Sequence, residues 1–226
     1  MTEVVKFSAP LIAFEGIDGS GTTTQAALLA EALDAQGIAV HTTRQPFPDP
    51  IGLLIRKALQ GAMEIDDRAL ALLFAANRIQ HLVQEVVPNL QRGLTVISDR
   101  YLDSSLAYQS LDLPLAWVRS INQHIPRPNL VLYLRVDAEI ALRRVKARDG
   151  AKEIYDRIAL QKRISLKYDE LLGSRPGLYR CEGGVPSWAA VIDGCVPAEE
   201  VAKSVQETIE EFAQASGFWE TTGVGS

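Results

Sequence analysis

The sequence predicts an α/β protein built on a five-stranded parallel sheet with helices on both faces. Three observations carry this. Short apolar runs alternate along the chain with helix-period segments. Runs such as LIAFEG and LVLYLRV are strongly and continuously apolar, as strands buried on both faces require. The 226 residues, 47% of them hydrophobic, suffice for one sizeable core and argue against a disordered chain.

Taken in order, Leu11–Gly16 (LIAFEG) is the first strand and ends in glycine. Thr22–Gln36 follows as a helix, with Leu28, Leu29, Ala32 and Leu33 at helical spacing. Ala39–Arg44 (AVHTTR) is the second strand. Gln45–Pro50 (QPFPDP) is too proline-dense for anything but a loop. A helix over roughly Asp66–Arg92 carries an aliphatic stripe of Leu72, Ile79, Val83, Val86 and Leu90. Leu94–Arg100, Leu130–Val136 and Ala189–Gly194 are strands three to five, and Ala198–Ala215 is the last helix. Arg148–Lys167, between strands four and five, is charge-rich with a poor core stripe; it predicts a solvated helical hairpin or a lid over a phosphate site. No repeat or low-complexity tract divides the chain, so 1–226 reads as one domain, with a lid at about 148–167 and a frayed tail at 220–226.

Lys+Arg 23 against Asp+Glu 28 gives a net charge of −5. That disfavours a non-specific nucleic-acid binder and leaves room for a small anion in a local basic pocket. Two cysteines, Cys181 and Cys195, cannot staple a chain of this length and are expected to be reduced thiols. The start MTEVVKFSAP lacks the features of a signal peptide, and no apolar window reaches the ~18 residues of a membrane span. The expectation is a cytoplasmic protein with neither nucleic-acid nor membrane partners.

Gly16-Ile17-Asp18-Gly19-Ser20-Gly21-Thr22-Thr23 joins the first strand to the first helix. Its spacing is that of the phosphate-binding loop G-x-x-x-x-G-K-[ST], with Thr22 where lysine is expected. Gly16, Gly19 and Gly21 let the main chain approach closely and point successive N–H groups into one concavity, which Ser20, Thr22, Thr23 and Thr24 extend onto the helix N-terminus. Thr23 supplies a hydroxyl suited to Mg²⁺. Further along, Phe74 and Arg78 lie four apart on the far side of the aliphatic stripe and need another partner. Asp99 and Arg100 close a buried strand, at the end where ligands of such sheets bind.

FEGIDGSGTTTQ (Phe14–Gln25), TTRQP (Thr42–Pro46), LFAANR (Leu73–Arg78), SDRYLDSSLAYQ (Ser98–Gln109) and PNLVLYLRVDAEIALRRVKAR (Pro128–Arg148) occur in that order. Together they resemble the thymidylate kinase family of P-loop nucleoside monophosphate kinases, over almost the whole chain. The resemblance implies a P-loop NTPase-type three-layer αβα fold, ATP and Mg²⁺ as donor and cofactor, and phosphoryl transfer to dTMP in dTTP synthesis. It implies that Asp18 contacts the sugar 3′-hydroxyl, that Asp99 with Thr23 serves the metal, and that Arg100 and Arg56 hold the acceptor phosphate with Arg44 grouped beside them. Phe74 would stack on the pyrimidine, with Arg78, Ser105 and Gln109 on its edge and Tyr108 under the sugar. Arg148 would join Asp18, Asp99 and Arg100 in catalysis from the lid. A homodimer through helices beside the acceptor site is also implied. Each of these positions has a plain structural alternative: an exposed loop aspartate, an Asp99–Arg100 salt bridge, a helix packed on Phe74, a capping serine, a core tyrosine.

The chain departs from the family pattern at Thr22, at Gln45 in place of glutamate, and at Phe47 and Pro48 in place of glycines. Losing one preorganised cationic donor costs about 3–4 kcal/mol of transition-state stabilisation unless another cation substitutes. Arg143, Arg144, Arg148, Lys152, Arg157 and Lys162 are the candidates in the lid stretch. The alternatives are a non-catalytic nucleotide-binding homologue or a kinase for another pyrimidine (deoxy)nucleotide.

Overall fold

The computed structural model describes residues 7–149, 155–173, 177–181 and 187–219. The tail expected to fray and residues 150–154, near the start of the expected lid, lie outside them.

The elements are β1 (Leu11–Glu15), α1 (Thr22–Ala35), β2 (Val40–Arg44), α2 (Pro50–Leu59), α3 (Asp67–His81), a π-turn (Leu82–Val86), α4 (Val87–Gln91), β3 (Thr95–Asp99), α5 (Leu102–Gln109), α6 (Leu115–Ile121), β4 (Leu130–Arg135), α7 (Ala138–Asp149), α8 (Tyr155–Leu172), β5 (Gly177–Cys181), β6 (Ser187–Asp193) and α9 (Ala198–Ser216). The sheet runs β2-β3-β1-β4-β6-β5. The five expected strands are present and mutually parallel. A sixth, β5, pairs antiparallel with β6 and corrects the expected count. Its sequence, GLYRC, is neither a continuous apolar run nor a clean alternation, because an edge strand need not be buried on both faces.

Chain order reverses at β1: β2 and β3 lie to one side of it and β4 to the other. In such a sheet the crevice at the carboxyl end of the switch-point strand is where a ligand enters. The glycine loop follows β1 there. Strand alternation sorts the two faces. Ile12, Phe14, Ile97, Leu132 and Leu134 face α1 and α9, with Leu29, Leu33, Val205 and Phe212 packed on them. Val131, Tyr133 and Val191 face α8 on the other side, and Ala13 and Val96 face the π-turn, α4 and α5. Ile12, Phe14 and Ile97 are completely buried, each contributing roughly 1.5–3 kcal/mol of apolar transfer.

The long helix runs from Asp67 to Gln91 but is not uniform. Its π-turn inserts the equivalent of one extra residue, a phase shift of about 100°. Pro88, just beyond, has no N–H to donate back into this turn. The expected single stripe is therefore split: Leu72, Ile79 and Val83 are exposed, whereas Val86 and Leu90 are buried with Ala71, Ala75 and Leu82. The charge-rich segment also differs from expectation in its second half. Ile164, Tyr168 and Leu172 of α8, at i, i+4 and i+8, are buried, and Gln161 is nearly so. This half of α8 belongs to the core.

Candidate active site

The glycine loop is shaped by close approach. Gly19 has φ +87°, and a Cβ there would sit 2.3 Å from the Ala141 carbonyl oxygen of α7, so no side chain fits. Gly21, at φ 97°, is the residue before α1, and no side chain caps this helix. The first N–H groups of α1 therefore keep their donors and the positive end of the dipole for a ligand. The Asp18 N–H is taken, by Gln161 Oε1 at 3.2 Å.

At the mouth of the loop, the Thr23 hydroxyl donates to Asp99 Oδ2. The other oxygen, Asp99 Oδ1, is buried and has no hydrogen-bond partner among the described residues. A hydroxyl and a carboxylate with a spare lone pair form the hard oxygen pair that Mg²⁺ takes alongside phosphate and water. Among the described residues no three His, Cys, Asp or Glu side chains form a metal cluster.

Arg100, immediately after β3, adopts φ 68°. A left-handed arginine costs of order 1–3 kcal/mol and persists only where its surroundings dictate it. Here its N–H donates to the Phe14 carbonyl (2.9 Å), and its carbonyl accepts from Ser98 Oγ (2.7 Å). The next N–H, of Tyr101, donates to Glu15 Oε1 (2.8 Å). This turn sends the guanidinium back over the loop, where Nη1 donates to Gly16 O (2.8 Å) and Nη2 to Asp18 Oδ1 (2.7 Å). The ring of Tyr108 lies 5.3 Å from the guanidinium carbon, and its hydroxyl also donates to Asp18 Oδ1 (3.1 Å). Burial opposes the Arg100 charge, but the Tyr108, Tyr168, Asp18 and Glu15 oxygens around it outweigh that and keep it cationic. Glu15 itself is completely buried, and burial with the nearby Asp103 carboxyl pushes its pKa up, against hydrogen bonds from Ser104 and Tyr168.

From this corner a cavity of about 600 Å³ extends between α3, α5 and α8. Asp18, Arg100 and Tyr108 line it at the loop, and Phe74, Arg78, Ser105 and Gln109 line it further in. Arg78 is 1% exposed. Its Nε donates to Gln45 Oε1 (2.8 Å), Nη1 to Asn122 Oδ1 (2.6 Å), and Nη2 to Ser105 Oγ (2.6 Å) and the Tyr101 carbonyl (3.1 Å). Burial lowers its pKa to about 10, so it remains charged near neutrality. Gln45 Nε2 in turn meets His81 Nδ1 at 3.1 Å, and His81 Nε2 meets Thr43 Oγ1 at 2.8 Å. Burial drops the His81 pKa to about 4. A neutral ring accepting at Nδ1 donates from Nε2, which fixes its tautomer. Gln109 Oε1 is buried without a partner among the described residues, as an acceptor reserved for a ligand's donor would be.

The model of the thymidylate kinase family matches residues 14–179. A probable thymidylate kinase of Pyrobaculum calidifontis is 41% identical over 201 residues, 88% of this chain and 95% of that protein. One from Pyrobaculum aerophilum is 39% identical over 205 residues, 90% and 97% of the two chains. One from Pyrococcus abyssi is 42% identical over 166 residues, 71% and 81%. The chain belongs to the thymidylate kinase family.

For a thymidylate kinase, most of the expected side chains fall into two groups. Asp18, Phe74, Arg78, Arg100, Ser105, Tyr108 and Gln109 meet around one cavity. Thr23 and Asp99 meet beside the loop. Arg44 lines neither the large cavity nor its rim; it opens onto a second one, of about 350 Å³, on the flank of α1. Arg56 stays outside the large cavity and donates from Nη2 to the Pro46 carbonyl (3.3 Å), at its edge. Of the lid cations, Lys162 pairs with Glu139 (2.6 Å) and Arg144 donates to Val196 O (3.3 Å). The Arg148 and Arg157 side chains and Lys152 lie outside the described residues.

The departures from the family pattern also have structural roles. Gln45 gives Arg78 a neutral partner. The Phe47 ring stacks on His81 at 4.8 Å, and the Phe47 main chain is clasped by Asn77 through bonds of 2.8 and 3.0 Å. Sequence reading missed Gln161, which holds the Asp18 N–H and donates from Nε2 to Asp18 Oδ2 (3.3 Å), and Glu15, which pins the Arg100 turn. The spacing of Gln161, Ile164 and Tyr168 on one helical face was the available signal for the first.

Proposed function

We propose that this protein transfers the γ-phosphoryl group of ATP to dTMP, giving dTDP and ADP. The single observation that carries the reading is the Asp18–Arg100–Tyr108 corner. It joins the uncapped phosphate loop to a nucleotide-sized cavity whose far end presents an aromatic ring and orphan or fixed polar groups. In this reading Phe74 stacks on the base and Gln109 and Arg78 meet its edge. Asp18 accepts from the sugar hydroxyl, and the Tyr108 ring fills the space a 2′-hydroxyl would need. Arg100 holds the acceptor phosphate with its planar fork, beside the donor loop.

No protein nucleophile is required. An oxygen of the acceptor phosphate attacks the γ-phosphorus in line, and the bond to the bridging oxygen breaks as ADP leaves. The chain contributes by orienting both nucleotides and neutralising equatorial charge. Bound through Thr23 and Asp99, Mg²⁺ would supply charge neutralisation at the donor phosphates. Arg148 and the segment before Gln161 would close over the site as a lid and exclude water.

Coupled ADP release with ATP, Mg²⁺ and each of dTMP, dUMP, dCMP and thymidine tests the reading. dTMP should give the highest kcat/KM. Absence of turnover by folded protein that binds dTMP in calorimetry would leave a non-catalytic binder, and a different best acceptor would move the substrate. Leu53, Leu54, Leu72, Ile79 and Val83 expose apolar surface on α2, α3 and the π-turn and support a homodimer across these helices; light scattering of the purified chain should give twice the monomer mass. No helix among the described residues is long and apolar enough to cross a membrane.

A further inference from the structure

We infer that Arg44 is the cation that meets the donor polyphosphate in place of the ammonium missing at Thr22; this rests on the kinase reading above. The argument starts from the alternation of β2. Val40, Thr42 and Arg44 share one face of the sheet, and His41 and Thr43 share the other. His41 and Thr43 reach Glu85 and His81 on the long helix. Val40 packs on the opposite cluster, the one that α1 covers. Arg44 therefore leaves the sheet on the α1 side, away from the acceptor cavity.

Register then places it. Arg44 and Asp99 are Cα partners in the parallel β2–β3 ladder, so their side chains stand next to each other on that face. Asp99 accepts the hydroxyl of Thr23, at the N-terminus of α1 where the donor phosphates belong. Thr23, Arg44 and Asp99 all line the 350 Å³ cavity. Arg44 is exposed there and makes no hydrogen bond or ion pair among the described residues. It is also the one positive side chain among the residues lining that cavity. Of the two acids nearby, Glu85 pairs with His41 at 2.6 Å, and Asp99 accepts the Thr23 hydroxyl at Oδ2, leaving Oδ1 as the oxygen assigned above to the metal.

Charge balance favours this assignment. The amide nest and the helix dipole bind phosphate but supply no full positive charge. Phosphoryl transfer is governed by positioning and charge neutralisation, so a guanidinium arriving from a neighbouring strand can replace an ammonium from the loop. The chemistry needs charge near the β- and γ-phosphate oxygens, not a particular chain position to carry it.

Steady-state kinetics and binding with Arg44→Met, Thr22→Lys and the double variant test this. Arg44→Met should lower kcat by about 50-fold or more while leaving the KM for dTMP within about threefold. Thr22→Lys should restore the double variant to within about fivefold of the parent rate. Binding of a non-hydrolysable ATP analogue, followed by calorimetry, should weaken about tenfold in Arg44→Met with dTMP binding unchanged. This arm reads Arg44 even if the parent protein shows no turnover, which would count against the kinase reading alone. An unchanged rate and analogue affinity in Arg44→Met would overturn the inference. So would a loss confined to the KM for dTMP, or a Thr22→Lys change that fails to rescue Arg44→Met. Thermal melting of Arg44→Met should match the parent, since the side chain is exposed and unpaired.

Discussion

The two ends of the active site are built from different materials. The acceptor cavity is made of side chains, each held by another: Arg78 by Gln45, Asn122 and Ser105, Gln45 by His81, His81 by Thr43. The donor loop is made of main chain, with positive-φ glycines and an uncapped helix start. Side chains that order one another give specificity, because a wrong ligand leaves buried polar groups unpaired. Amides that cradle phosphate give affinity without regard to the base. The lysine position could thus be lost from the donor end without disturbing the acceptor end.

The most severe break should come where the two ends meet. Arg100→Ala removes the group that touches both, and should cut kcat/KM by about a thousandfold or more in the coupled assay. Next in size is an acid effect on the acceptor side. His81, depressed to about pKa 4 in the fold, stays neutral where the unfolded chain takes up a proton. Its stabilising effect is complete above about pH 6.5 and is lost as pH falls towards 4, by up to about 3 kcal/mol. Glu15, whose pKa is raised, works in the opposite sense. Denaturant melts of the parent and His81→Gln from pH 7 to 4 isolate the histidine: the variant should lose the steeper slope.

Smaller changes sharpen the contrast. Asp18→Asn weakens the clamp on Arg100 and Tyr108 and should lower kcat by about 30-fold. Phe74→Ala should raise the KM for dTMP about tenfold with kcat and the KM for ATP nearly unchanged, since stacking is lost equally from the ground and transition states. If Phe74→Ala instead changed the ATP parameters, the division into two ends would fail.

What the sequence disclosed follows the same division. The four inner strands, β1, β3, β4 and β6, were readable because burial on both faces leaves a continuous apolar record; β2, at the other sheet edge and partly exposed, carries only a β-branched one. The edge strand β5 leaves none. The glycine loop was readable because close approach permits no side chain at Gly19. That Arg44 lines the smaller cavity and not the larger one is hidden in the sequence, because adjacent strand residues alternate between faces. The stripe on the long helix was read as one face because an i→i+5 turn has no residue signature beyond the later Pro88. Gln161 was lost in a charge-rich segment whose inward face is carried by only a few residues.

The π-turn uncouples two jobs that a regular helix would bind together. Upstream of Leu82 the helix presents Phe74 and Arg78 to the nucleotide pocket; downstream, Val86 and Leu90 are committed to the core. Deleting a single residue within 82–86 would rotate one half against the other, sending Val86 and Leu90 outward. The two halves are thus free to drift independently in evolution, and a grafted or redesigned substrate pocket upstream would not need a new hydrophobic interior.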